Sequence, residues 1–169
     1  MQRIHFFLFL AVIVLVAGCA DYPPIEQTET FNIDRSVQFS LSNLTPINKD
    51  TFVATGTIDT NAYVDSLSGS YLLKTAQVGR ISLISSDPTF TLDQLGVIHI
   101  LIGADTVAMD SLPQGTVDTN FTLTGIDITK YMRNTSFPAT LACNLQSVPK
   151  TGVILNCGMT IIYTANVRP

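Results

Sequence analysis

From Val153 to Tyr163 every second residue is apolar: Val153, Leu155, Cys157, Met159, Ile161 and Tyr163. A pleated strand places alternate side chains on one face, so this spacing requires a strand with one side buried. The same period appears where Val37, Phe39 and Leu41 alternate with Gln38, Ser40 and Ser42. Strand-like segments at 31–42, 51–58, 78–85, 96–103, 106–110, 117–124, 137–146 and 153–167 are separated by turn residues. This punctuation predicts an all-β fold, a two-sheet antiparallel β-sandwich of immunoglobulin-like or jelly-roll-like form. Segment 97–102 is apolar at nearly every position, which predicts a central strand covered on both sides.

Helical signals are one to two turns long. Residues 61–69 have Asn61 as N-cap and Gly69 as terminator, and Thr91-Leu92-Asp93-Gln94 has capping-box spacing ended by Gly96. Segment 127–134 opens on an acid and carries Lys130 and Arg133 near its end, complementing a helix dipole.

The chain begins with one fixed charge, Arg3, followed by FFLFLAVIVLVAG over residues 6–18. A spanning helix needs about 20 apolar residues, so this run reads as a cleaved export signal. Val16-Ala17-Gly18-Cys19 resembles the bacterial lipobox, which implies that residues 1–18 are removed and Cys19 is lipidated. An ordinary secretory signal with a coincidental cysteine, or an uncleaved anchor, is the plainer alternative. By analogy with sorting rules, Ala20 after the cysteine implies an outer-membrane destination, with the face open. Residues 19–30, acidic and bearing Pro23 and Pro24, read as a lipidated tether, and 31–169 as a single sandwich domain.

Loss of Arg3 with the signal takes the net charge from −4 to −5, and the remaining Lys and Arg are scattered. That balance excludes a nucleic-acid partner and a basic membrane-docking patch, so the membrane is met through the N-terminal lipid. In an oxidising compartment Cys143 and Cys157, both on buried strand faces, predict a disulfide if 147–152 closes a hairpin that sets 143 opposite 157. Two reduced cysteines packed as small hydrophobes are the alternative.

The stretches ISLISSDPTFTLDQLGVIHILIGAD, residues 81–105, and GIDITKYMRNTSFPATLACNL, residues 125–145, resemble small β-sandwich lipoproteins of the Bacteroidota. That resemblance implies fold and location and supplies no catalytic residue. The triplets Asp65-Ser66-Leu67, Asp105-Thr106-Val107 and Asp110-Ser111-Leu112 are similar to that phylum's O-glycosylation signal.

No residue constellation points to an enzyme. His99, the only histidine after the signal, sits mid-strand and reads as a core residue. Ser147-Val148-Pro149-Lys150-Thr151-Gly152 contains S-x-x-K and K-T-G, but Lys150 would have to serve both motifs, so it reads as a turn. Asp59, Asn61 and Asp65 begin like a calcium loop, yet Val64 and Ser70 stand where the glycine and final glutamate belong. No cofactor or metal is expected. The expected function is a non-enzymatic interaction or structural accessory module, with another envelope protein as the expected partner. Alternatives are a glycan- or lipid-binding module using Tyr63, Tyr71 and Tyr131, and, more remotely, an enzyme of unrecognised type.

Overall fold

Alternation of apolar and polar residues becomes strand almost everywhere it occurs. The computed structural model describes residues 27–48, 50–59, 71–145 and 152–167. Its strands are β1 (Thr28–Ser40), β2 (Thr45–Pro46), β3 (Phe52–Asp59), β4 (Tyr71–Ser85), β5 (Val97–Ile102), β6 (Asp105–Ser111), β7 (Asp118–Asn120), β8 (Ser136–Cys143) and β9 (Ile154–Val167). They form two antiparallel sheets, ordered β1-β9-β4-β7 and β2-β3-β8-β5-β6. Setting aside the two-residue β2, the chain passes from one sheet to the other at every connection except β5 to β6. This is the winding of a jelly-roll sandwich, which resolves the choice left open by strand count alone.

The core lies between the sheets. From β9 it takes Leu155, Cys157, Met159, Ile161, Tyr163 and Ala165, and from β8 Phe137, Ala139, Leu141 and Cys143, all buried. Tyr163 is among the largest fully buried side chains, and its hydroxyl donates to Met132 Sδ at 3.3 Å. Removing a side chain such as Leu141 from this layer would cost about 2–5 kcal/mol through lost burial and the cavity left behind.

β1 pairs with β9 without interruption, from Thr28 opposite Asn166 to Ser40 opposite Ile154. The β4–β9 ladder slips between Leu73 and Thr75 and between Val78 and Arg80. The second slip leaves Gly79 unpaired and inverts the facing of the strand. Val78 is buried before it and Ile81 and Leu83 after it, while Arg80 is turned outward. At one flank β1 closes against β3. A Cβ on Gly56 would stand 2.3 Å from Val37 Cγ2 and 2.8 Å from the Gln38 carbonyl oxygen.

The structure corrects four expectations. β8 and β9 are not a hairpin: β8 lies between β3 and β5 and β9 between β1 and β4, in opposite sheets. Both Cys143 and Cys157 are accordingly free and buried, and the expected disulfide is absent. Cross-strand pairing had supplied the short approach on which that bond rested, whereas stacked sheets lie about 10 Å apart. β5 is covered on one face only, since Ile98, Ile100 and Ile102 are buried while Val97, His99 and Leu101 face outward and keep some exposure. Segment 127–134 forms consecutive turns instead of a helix, and strand 117–124 shortens to β7 plus a single bridge from Leu123 to Ala108. Thr91-Leu92-Asp93-Gln94 does lead into a helical turn, Leu92–Leu95, closed by Gly96 at φ +66°. It is a 3-10 turn in which Gln94 Nε2 donates to Thr91 Oγ1 at 3.1 Å. Residues 1–26, with the export signal, Cys19 and most of the tether, and 60–70, with the 61–69 helix and Tyr63, lie outside the described residues.

Candidate functional site

Tyr71 and Tyr131, two of the three tyrosines expected at a ligand site, are engaged by the protein itself. Tyr131 donates to Asp105 Oδ2 at 3.0 Å and accepts from the Ala104 backbone N–H at 3.1 Å. Lys130 Nζ lies 2.6 Å from the same Asp105 oxygen and 4.9 Å from the Tyr131 ring centroid. The ring also lies over Gly103, at φ +58°, where any Cβ would stand 2.3 Å from Tyr131 Cε1. Positive φ and the ring together demand glycine at this β5–β6 turn. Lys130 and then Tyr131 hold the Asp105 carboxyl below the usual carboxylate range, and Asp105 in turn raises Lys130. Nearby, Asp127 accepts from the Thr129 hydroxyl and, at 2.8 Å, from the Thr129 backbone N–H, which lowers its carboxyl. Ile128 and Met132 are buried from the same segment. The 127–134 turns are therefore a strap, pinned to β4 by the Ala76 N–H donating to Thr129 Oγ1 at 2.7 Å and to the β5–β6 turn by Tyr131. A depression of about 430 Å³ beside it is lined by Asp127, Thr129, Lys130 and Arg133, the first three of which are committed to the bonds just described.

Tyr71 packs edge-on against Phe31, with ring centroids 4.8 Å apart, and donates to Glu29 Oε2 at 2.9 Å. That bond raises the phenol's pKa. Tyr71 thus fastens the start of β4 to β1.

His99 is not in the core. It lies on the outer face of the five-stranded sheet, half-buried, in a row with Val53, Ala142 and Met109. The two cysteines lie within the core, where burial pushes the Cys143 thiol up to about 11 and the Cys157 thiol up to about 12. Raised thiols in an apolar layer are poor nucleophiles at neutral pH. Among the described residues no cluster of three or more His, Cys, Asp or Glu side chains is placed to hold a metal ion.

A second depression, more polar than the one beside the strap, carries no mark in the sequence reading. It lies on the outer face of the four-stranded sheet, a depression of about 250 Å³ lined by Asp34, Arg35, Arg80, Ser82, Gly158, Met159 and Thr160. Register puts Asp34, Thr160 and Arg80 in one row across β1, β9 and β4, and Ser36, Gly158, Ser82 and Asn120 in the next. Thr160 Oγ1 donates to Asp34 Oδ1 at 2.6 Å, and Arg80 Nε donates to Asn120 Oδ1 at 3.0 Å. Arg35 Nη1 donates to the Asp34 carbonyl oxygen at 3.0 Å, while its Nε and Nη2 are buried without a partner among the described residues. Two sequence signals could have found the place: Gly158 interrupts an otherwise side-chain-bearing strand, and Val78-Gly79-Arg80-Ile81 breaks the alternation of β4.

No family model and no curated protein matches the chain. Among solved structures it is similar to a decameric BFDV capsid protein, at 13% identity and TM-score 0.42 over 82% of this chain and 99% of that one. It is also similar to Desmodium yellow mottle tymovirus, at 12% identity and TM-score 0.31 over 89% of this chain and 95% of that one. The jelly-roll assignment rests on the strand order and not on these likenesses.

Proposed function

We propose that this chain is a non-enzymatic interaction module of a bacterial envelope, held at the outer membrane by lipid on Cys19. The observation that carries the reading is the lipobox-like Val16-Ala17-Gly18-Cys19 at the end of an apolar run, nine residues ahead of the first strand residue, Thr28. Nine extended residues reach roughly 30 Å, enough to hold a sandwich off the bilayer surface. Several acyl chains on one cysteine give stable attachment, since each buried methylene contributes about 0.8 kcal/mol.

Contact with another envelope protein fits the way the sandwich ends. β1 is an edge strand, and among the described residues no strand pairs with its outer side. Such an edge offers unpaired backbone groups to an added strand. The inward-facing Arg35 and the outward-facing Asp34 discourage unselective pairing along it.

The experiment is metabolic labelling with palmitate, followed by membrane fractionation. Wild type takes up label and sediments with membranes, whereas Cys19→Ala takes up none and is released. Equal labelling of the two would overturn the lipid anchor. Crosslinking in intact cells with a photoreactive residue at position 32 should capture a discrete protein partner, and capture of none would overturn the contact role.

A further inference from the structure

We propose that the outer face of the five-stranded sheet docks a second copy of this chain, the two sheets stacking face to face about a two-fold axis along the β5–β8 seam. This goes beyond the role proposed above. It uses the sheet that does not contain β1, and it holds whether or not Cys19 carries lipid.

The first observation is charge. Register sets Val53, Ala142, His99 and Met109 in one row across β3, β8, β5 and β6, and Thr55, Thr140, Leu101 and Thr106 in the next. The rows beyond, Thr57 with Pro138 and Val97 with Ser111, are also without Lys, Arg, Asp or Glu. A soluble surface is commonly about 25–35% charged residues, and these rows hold none. The outer face of the other sheet, by contrast, carries Asp34 and Arg80. Apolar side chains stand open among the uncharged ones, Val97 at 36% and Met109 at 52% exposure.

The second is shape. β5 presents Val97, His99 and Leu101 outward, and beside it β8 presents the more compact Pro138, Thr140 and Ala142. A ridge therefore lies next to a furrow. A two-fold axis parallel to the strands, midway between stacked sheets and above the seam, lays the β5 ridge of each copy over the β8 furrow of the other. His99 then faces Ala142 of the second copy, and Leu101 faces its Thr140. Stacked sheets with nearly aligned strands pack about 10 Å apart with side chains interdigitated, as this arrangement requires. Closed two-fold contacts of one patch with itself are the commonest form of protein association.

The third is area. Four strands about 4.8 Å apart, over six residues of about 3.3 Å rise, make a face roughly 20 Å square. Side-chain relief raises this to roughly 600 Å² of accessible surface a side, about 1,200 Å² for the pair, the lower end of what a specific interface buries. A contact of that size without charge pairs is weak, with a dissociation constant on the order of 10 μM.

These observations select the occupant. A lipid surface is met by Lys, Arg, Trp or Tyr anchors, and a charged partner by complementary charge; the rows described hold neither. With net charge −4 on each chain, two copies repel over most of their surfaces and least where neither bears a charge.

The test is sedimentation velocity on the full chain in density-matched detergent, with micelles in excess over protein, from tenfold below to tenfold above that constant. Wild type should pass from monomer to dimer. Leu101→Lys, Thr140→Glu and Met109→Lys should each weaken association tenfold or more, and Ser36→Lys, on the outer face of the other sheet, should not change it. Mixing Leu101→Lys with Thr140→Glu should restore a dimer of one of each, because the axis sets 101 against 140. Thermal melts identify any variant that fails to fold, and Met109→Lys, at the most exposed of the three positions, keeps the comparison usable if another does not. In intact cells, a photoreactive residue at position 140 should yield a product of twice the chain's mass. Monomer at every concentration overturns the proposal, as does a dimer that survives both Leu101→Lys and Met109→Lys. Failure of the mixed pair to associate overturns it too, and so does position 140 yielding adducts only with lipid or another protein, or none.

Discussion

Cys143 and Cys157 show how little a side chain's chemistry says without its neighbours. Both strands present them inward from opposite sheets, and burial raises their thiols to about 11 and about 12 from an ordinary value of 9.0. A folded-state thiol held above its unfolded value keeps the fold fully stable below the unfolded pKa, and that stability drains as pH rises beyond it. The melting temperature is therefore expected to fall as pH is taken from about 9 towards 11. In the double variant Cys143→Ala/Cys157→Ala that part of the fall should be gone, as calorimetry across the series would show. Alkylating reagent at neutral pH should modify neither thiol in the folded protein and both in denaturant. Tyr131 gives a second prediction at this scale. Tyr131→Phe removes an acceptor from the Ala104 N–H and a donor from Asp105, at a cost of about 1 kcal/mol. Because the bond helps hold the Asp105 carboxyl low, its contribution is present above the ordinary carboxylate pKa and is lost as pH falls through the folded value. The gap in denaturation midpoint between wild type and Tyr131→Phe should therefore narrow on acidification.

Among elements, the junction of β1 and β3 is the tightest test of the architecture. Gly56→Ala places a methyl group against Val37 and, less forgivingly, against the Gln38 backbone, so the edge strand must shift. Overpacking of this sort costs about 1–3 kcal/mol. Thermal denaturation should show Gly56→Ala melting several degrees below wild type, whereas Gly158→Ala, meeting only a rotatable hydroxyl, melts no lower than wild type. The individual strands were legible because burying one face imposes a two-residue period, as Leu155 to Tyr163 display. Partnership between strands was not legible. Adjacent in sequence, β8 and β9 look like a hairpin, and only the packing of two whole sheets sends them to opposite layers. The same limit hid the depression around Gly158, because Asp34, Arg80 and Gly158 belong to three strands and meet through register alone. Tyr131 and Lys130 were legible as polar residues near a short turn. Their fastening role depends on Asp105 and Gly103 arriving from the β5–β6 turn.

On the scale of the whole molecule, the two ends of the described chain lie together: the Val167 N–H donates to the Gln27 carbonyl oxygen at 2.9 Å. The Asp34 row lies six residues along β1 from Thr28, roughly 20 Å at strand rise. If the proposed lipid tether enters at Thr28, the depression stands that distance up the sheet from the point of entry. The side-by-side exit of Gln27 and Val167 also sets how the molecule bears load. Tension applied between those two points falls on the Thr28–Asn166 rung first and opens the β1–β9 ladder like a zip, one rung after another. The same force applied between Gln27 and the opposite end of β9 would have to shear the whole ladder at once, so the sandwich is yielding in one direction of pull and stiff in the other.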